Sequence, residues 1–251
     1  MTESLLTATL RSFPSVSLVE TERVSLMNRS DTKYVLHTSQ LHDILFALAP
    51  AYTVLDIDGN RLFHYDGIYF DTDDRRLYLQ HHNGKLNRYK VRTRRYNEND
   101  RSFFEVKQKV NSRRTIKWRV PLAGELSEMR EDAAQLIRQA TDLNPERLYP
   151  VLQIQYARLT LVHPVRSERV TIDMSLQYNS PASSFGLNGV VIAEVKQERF
   201  SRQSEFMQLM QNMHIPPVSI SKYCAGMAMT YSNLKYNRFK DKLRALKKVS
   251  Y

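Results

Sequence analysis

The segment RYKVRTRRY, residues 88–96, alternates cations with uncharged side chains: Arg88, Lys90, Arg92 and Arg94 share one parity, Tyr89, Val91 and Thr93 the other. Strict period-two alternation marks a β-strand whose two faces meet different surroundings. The pattern recurs along the chain. Glu105, Lys107 and Lys109 share a face with Phe103, opposite Phe104, Val106 and Val110, while Arg113, Lys117 and Arg119 oppose Arg114, Ile116, Trp118 and Val120. Arg29, Asp31 and Lys33 fall on one parity of their segment. Arg169, Thr171, Asp173 and Ser175 oppose Val170, Ile172 and Met174, and Glu194 and Lys196 oppose Val191, Ala193 and Val195. Repeated strands of this kind confine the chain to an antiparallel sheet with one apolar and one charged face.

Strands are expected near 24–36, 61–70, 76–81, 86–96, 102–110, 113–120, 151–162, 168–175 and 189–197. Helices are expected at 39–48, with Thr38 or Ser39 as N-cap, and at 125–140, 202–213 and 222–248. Many strands and few helices give an α+β class, with an antiparallel β-barrel, closed or nearly closed, as the way to remove sheet edges. No repeat or Gly/Ser linker divides the chain. We read residues 1–23 as an N-terminal extension, 24–231 as one tunnel domain and 232–251 as a basic C-terminal helix. In that helix Phe239, Leu243 and Leu246 share a face, which suits docking on the barrel or peripheral contact with a membrane or partner.

Each charged face has two readings: the solvated side of a half-buried sheet, or the lining of a barrel interior. Cations facing one another across strands are destabilising unless an anion lies between them. A barrel that turns this parity inward encloses a positive channel suited to a long polyanion. The formal net charge of +11, from 37 basic and 26 acidic residues, also favours anionic partners. With seven glycines and neither GxGxxG nor GxxxxGK[ST], phosphate would be held by side chains rather than a backbone loop. Strand parity alone adds Arg88, Lys90, Lys109, Arg119 and Lys196 to such a lining. Glu105, Asp173 and Glu194 would repel phosphate unless they hold Mg²⁺ or Mn²⁺ or pair with neighbouring cations.

Other signals are plainer. The single cysteine, Cys224, excludes an intrachain disulfide and reads as a small buried hydrophobe. The seven histidines, His81 and His82 among them, lack metal-ligand spacing and read as surface residues. No zinc, helix-turn-helix or RNP-type motif points to nucleic acid. The N-terminus lacks the pattern of a signal peptide, and no apolar run is long enough to span a bilayer, so a cytoplasmic location is expected.

RxDxKY at 29–34, IYFDTDD at 68–74, RYKVRTRRY at 88–96 and FEVKQK at 104–109 precede YAR at 156–158, RVTID at 169–173, AEVK at 193–196 and SISKYCAGM at 219–227. In this order they resemble the VTC (vacuolar transporter chaperone) domain of the triphosphate tunnel metalloenzyme, or CYTH-like, superfamily. The resemblance implies a polyphosphate polymerase. In such an enzyme the γ-phosphate of ATP passes to a growing polyphosphate chain inside a β-barrel tunnel, with a divalent metal, typically Mn²⁺. It implies that Lys33, Arg92, Arg94, Lys107, Lys117, Arg158 and Arg169 line the tunnel, that Glu194 holds the metal, and that Lys222 lies near the nucleotide or chain terminus. Ser219 stands where the family often has a basic residue. A tripolyphosphatase or nucleoside triphosphatase of the same fold, or a non-enzymatic polyphosphate binder, would share the same lining.

Overall fold

The computed structural model describes residues 3–23, 30–110 and 115–250. The chain opens with α1 (Glu3–Arg11), β1 (Ser15–Val16) and α2 (Leu18–Arg23), then β2 (Ser30–His37), α3 (Leu41–Leu48) and β3 (Thr53–Leu55). Next come β4 (Phe63–Asp71), α4 (Arg76–His82), β5 (Arg88–Tyr96), β6 (Arg101–Lys109), β7 (Thr115–Pro121) and α5 (Glu131–Ala140). The chain ends with β8 (Tyr149–Val162), β9 (Glu168–Asn179), β10 (Ser184–Leu187), β11 (Val190–Gln197), α6 (Glu205–Asn212), α7 (Lys222–Thr230) and α8 (Lys240–Val249).

One sheet organises these elements, with its main strands in the order β2-β11-β9-β8-β4-β5-β6-β7 and every neighbour on that path antiparallel. The class is α+β, as expected. The sheet is not closed by hydrogen bonds: among the described residues no ladder joins β2 to β7. It curls so far that Lys33 of β2 and Lys90 and Lys107 of β5 and β6 line one cavity. The edge of β2 is partly covered, since the Val218 amide donates to the Lys33 carbonyl at 2.8 Å.

The apolar parity packs outward against helices. Tyr34, Leu36, Ile172, Val191 and Ala193 meet side chains of α1, α3 and α6, and Tyr89, Val91, Phe104 and Val106 meet Ala133 and Ile137 of α5. Full burial of each valine, leucine, isoleucine or phenylalanine among them contributes about 1.5–3 kcal/mol. Leu6 and Leu10 of α1 and Phe13 belong to this core, within the first 23 residues.

A parity change divides the inner face. Ser175 is exposed and left-handed at φ 54°, beside a register shift between β8 and β9. Beyond it Leu176 and Tyr178 join Val35, Leu152 and Ile192 in an inner apolar cluster, filled by Tyr223, Cys224 and Met227 of α7 and Leu243 and Leu246 of α8. Alternation therefore holds for Arg169, Thr171 and Asp173 but stops at Ser175.

Three expectations for secondary structure and one for burial are corrected. Residues 76–81 form the helix α4 rather than a strand, because Asp71 accepts from the Leu77 and Tyr78 amides at 2.8 and 3.0 Å and caps the turn. The helix expected at 125–140 begins at Glu131. The helix expected at 222–248 breaks after Thr230 into α7 and α8. His82 is 2% exposed, so it is no surface residue. Val24 to Arg29, Arg113 and Arg114 lie outside the described residues.

Candidate functional site

Glu105, Asp173 and Glu194, on the inner face, each sit between two cations. Glu105 of β6 pairs with Arg92 of β5 at 2.7 Å and Lys117 of β7 at 2.5 Å. Asp173 of β9 pairs with Arg158 of β8, at 2.5 and 2.8 Å, and with Lys222 of α7. Glu194 of β11 pairs with Lys33 of β2 at 2.8 Å and with Lys196 on its own strand at 2.5 Å. Register makes half of these six pairs: Arg92 lies opposite Glu105, Arg158 opposite Asp173 and Lys33 opposite Glu194. All three acids are held below the ordinary carboxylate range, because the neighbouring cations outweigh the burial that opposes ionisation.

Four further cations of this face stand outside these groups. Among the described residues Lys90, Arg94, Lys107 and Lys109 make no salt bridge; Lys90 instead donates to Ser221 Oγ at 2.7 Å. The charge of Lys107 is disfavoured, first by Arg92 and then by burial, and that of Lys90 first by burial. Both ammonium groups are therefore held below the ordinary lysine range. A nearby anion would relieve both.

Aromatic rings fix the cationic ends. Arg94 and Arg158 lie over the Tyr65 ring at 5.5 and 5.1 Å, and Lys222 lies over Tyr156 at 4.9 Å. Arg119 lies over Phe103 at 4.9 Å. Tyr69 accepts from Arg92 at 2.9 Å and stacks on Tyr223, whose hydroxyl donates to the buried Asp71 at 2.6 Å. Asp71 thus ties the cap of α4 to the first turn of α7. Helix α7 begins at the site, with Ser221 as its N-cap accepting from the Cys224 amide, so the positive end of its dipole adds to the field. Arg88 is aimed by His81: its Nε–H donates to His81 Nδ1 at 2.9 Å, while the other ring nitrogen reaches the Tyr89 carbonyl at 3.0 Å. Burial pushes His81 down to about 2, so the ring is neutral at ordinary pH.

The predicted lining is brought together on one face. Lys33, Arg88, Lys90, Arg92, Arg94, Lys107, Lys109, Lys117, Arg119, Arg158 and Lys196 all stand on the inner parity, Arg169 lies opposite Lys196 in the ladder, and Lys222 enters from α7. Tyr65 and Tyr69 of β4, Tyr156 of β8 and Tyr223 of α7 join the site although they were not among the residues expected to line it. Arg95 points to the outer side, donating to Ser102 Oγ and the Gly124 carbonyl.

For a metal, only oxygen donors are on offer, which suits hard Mg²⁺ or Mn²⁺. No three His, Cys, Asp or Glu groups converge among the described residues. Glu194 and Asp173 are diagonal neighbours on β11 and β9, since Ile192 pairs with Asp173 and Glu194 with Thr171. Each carboxylate is occupied by lysine, so a divalent ion fits here only as a partner of phosphate oxygens that displace those lysines.

A family model for the VTC domain matches residues 28–231. The chain belongs to the VTC domain family. No curated protein matches the sequence. Among solved structures, this VTC domain is similar to the candidate adenylyl cyclase HpAC1 from Hippeastrum, reported with a dominant triphosphatase activity. The TM-score is 0.51 at 13% identity, covering 82% of this chain and 97% of that one. A candidate adenylate cyclase from Bacillus halodurans matches at TM-score 0.50 and 13% identity, covering 78% of this chain and 96% of that one. The fold is thus the triphosphate tunnel fold expected from the motifs. No helix among the described residues is long and apolar enough to cross a membrane.

Proposed function

We propose that this VTC domain is a polyphosphate polymerase, moving the γ-phosphate of ATP onto a polyphosphate chain held in the cationic channel. The observation that carries this reading is the excess of cations: Glu105, Asp173 and Glu194 are each already matched twice, yet Lys90, Arg94, Lys107 and Lys109 make no salt bridge among the described residues. A ligand that satisfies four further half-buried cations along a wall is a linear polyanion rather than one small anion.

Phosphoryl transfer asks little covalent chemistry of a protein; positioning and charge stabilisation supply most of the rate. The bond between the γ-phosphorus and the β-bridging oxygen breaks, a terminal chain oxygen forms the new bond, and ADP leaves with the electron pair. An ionised phosphate acceptor needs no general base. Lys33, Arg92, Arg94, Lys107 and Lys222 surround the reacting phosphates, with Arg92 and Arg158 set in orientation by their carboxylate partners. Arg88, Lys90, Lys109, Lys117, Arg119, Arg158, Arg169 and Lys196 hold the rest of the chain. Glu194, with Asp173, would supply oxygen ligands to Mn²⁺ or Mg²⁺, which when bound would neutralise and orient the phosphates.

The test is incubation of purified protein with ATP and Mn²⁺, separating the products by length. Long polyphosphate with matching ADP is expected, and Lys107→Met should lower chain formation at least tenfold. Orthophosphate without chains would overturn the polymerase reading in favour of a triphosphatase, the activity reported for the Hippeastrum protein. Tight anion binding with no turnover, unaffected by Glu194→Gln, would indicate a binding module.

A further inference from the structure

Helix α8 begins nine residues beyond the last position matched by the family model, yet it forms a wall of the cationic channel. One cavity of about 290 Å³ is lined by Lys33, Arg88, Lys90, Lys107 and Lys109 from the sheet and by Lys242 from α8. No carboxylate lines it among the described residues. Lys242 is held over the Phe239 ring at 5.4 Å and makes no salt bridge among the described residues, whereas Arg244, on the same helix, pairs with Asp241 at 3.2 Å. Phe239, Leu243 and Leu246 are buried in the inner cluster.

We propose that α8 extends the polyanion path. A phosphate chain too long for the central channel passes beside the first turn of α7, between Arg88 and Lys109, and reaches Lys242. This rests on the polyphosphate reading above and adds a binding residue beyond the matched domain. An acidic membrane is the less favoured occupant, because an interfacial helix needs a free apolar face and that of α8 is already packed. A linear polyanion needs only a row of cations, and the cavity supplies one.

The experiment titrates the full chain with tripolyphosphate and with long linear polyphosphate, in the wild type, Lys242→Gln, Lys242→Arg and Lys247→Gln. Lys247 is exposed on α8 and does not line the cavity. Lys242→Gln should weaken long-chain binding about fivefold, the scale of one lysine at a dense anionic surface, and lower its log–log salt slope by roughly 0.7. Tripolyphosphate affinity should hold, Lys242→Arg should restore long-chain binding, and Lys247→Gln should change neither. Long-chain binding that ignores Lys242→Gln, or equal losses for both anions, would overturn the extended path while leaving the channel reading intact. Failure of Lys242→Arg to restore affinity would overturn it too, as would dependence on Lys242 only for anionic vesicles. A wild type that binds neither polyphosphate would overturn the channel reading first, and this inference with it.

Discussion

Glu105 is 1% exposed and carries two different cations, the fixed fork of Arg92 and the flexible, partly exposed Lys117. Removing one member of a buried charged group strands the others, and the cost exceeds that of replacing the whole group with apolar residues. Glu105→Gln should therefore lower unfolding stability by about 3–5 kcal/mol, read from urea midpoints, with tripolyphosphate recovering more stability in the variant than in the wild type. Parity told in advance that Glu105 shares a face with Lys107 and Lys109, because side-chain direction follows from strand geometry alone. It could not tell that Glu105 would meet Arg92 and Lys117, since cross-strand partners depend on register, which the loops and the curl of the sheet decide.

Helix α7 carries Lys222 at its first turn and presses on the sheet through Gly226. A Cβ at Gly226 would stand 2.5 Å from Tyr178 Cδ1 and 2.7 Å from Leu152 Cδ2, both on side chains with almost no exposure. Gly226→Ala gains helix propensity of about 1 kcal/mol but overpacks two rigid neighbours, a cost of about 1–3 kcal/mol. A net loss of stability is expected in denaturant titration, together with weaker anion binding as Lys222 is displaced from Asp173. The sequence was least readable at this scale. In RLYLQHH apolar residues alternate well enough to suggest a strand, and only the reach of Asp71 back to the amides of Leu77 and Tyr78 makes it a helix. The tyrosines behind the cations were equally hidden, since an inward tyrosine in a strand reads as ordinary packing until its neighbours across the sheet are known.

For the whole molecule, the cationic excess links anion binding to protons. Lys196 is pushed down to about 8, chiefly by burial, against the pull of Glu194, and Lys90 and Lys107 are shifted in the same direction. Because the folded pKa lies below the unfolded one, from pH 8 to about 10.4 the unfolded chain holds a proton that folded Lys196 lacks, so this group's contribution to stability rises with pH there. An anion favours the charged lysine and restores that proton. Calorimetry of tripolyphosphate binding in buffers of different ionisation enthalpy should show proton uptake above pH 8, with affinity falling as pH rises through that point. Lys196→Met should remove part of the uptake.

The three acid-centred groups have one more consequence. A cavity lined by this many cations would resist closing around nothing, yet Glu105, Asp173 and Glu194 arrive on β6, β9 and β11 and act as built-in counterions. Substrate is therefore not required as a folding template. When a phosphate chain enters, it meets arginines and lysines already aimed by carboxylates, and binding becomes an exchange of one set of anionic oxygens for another.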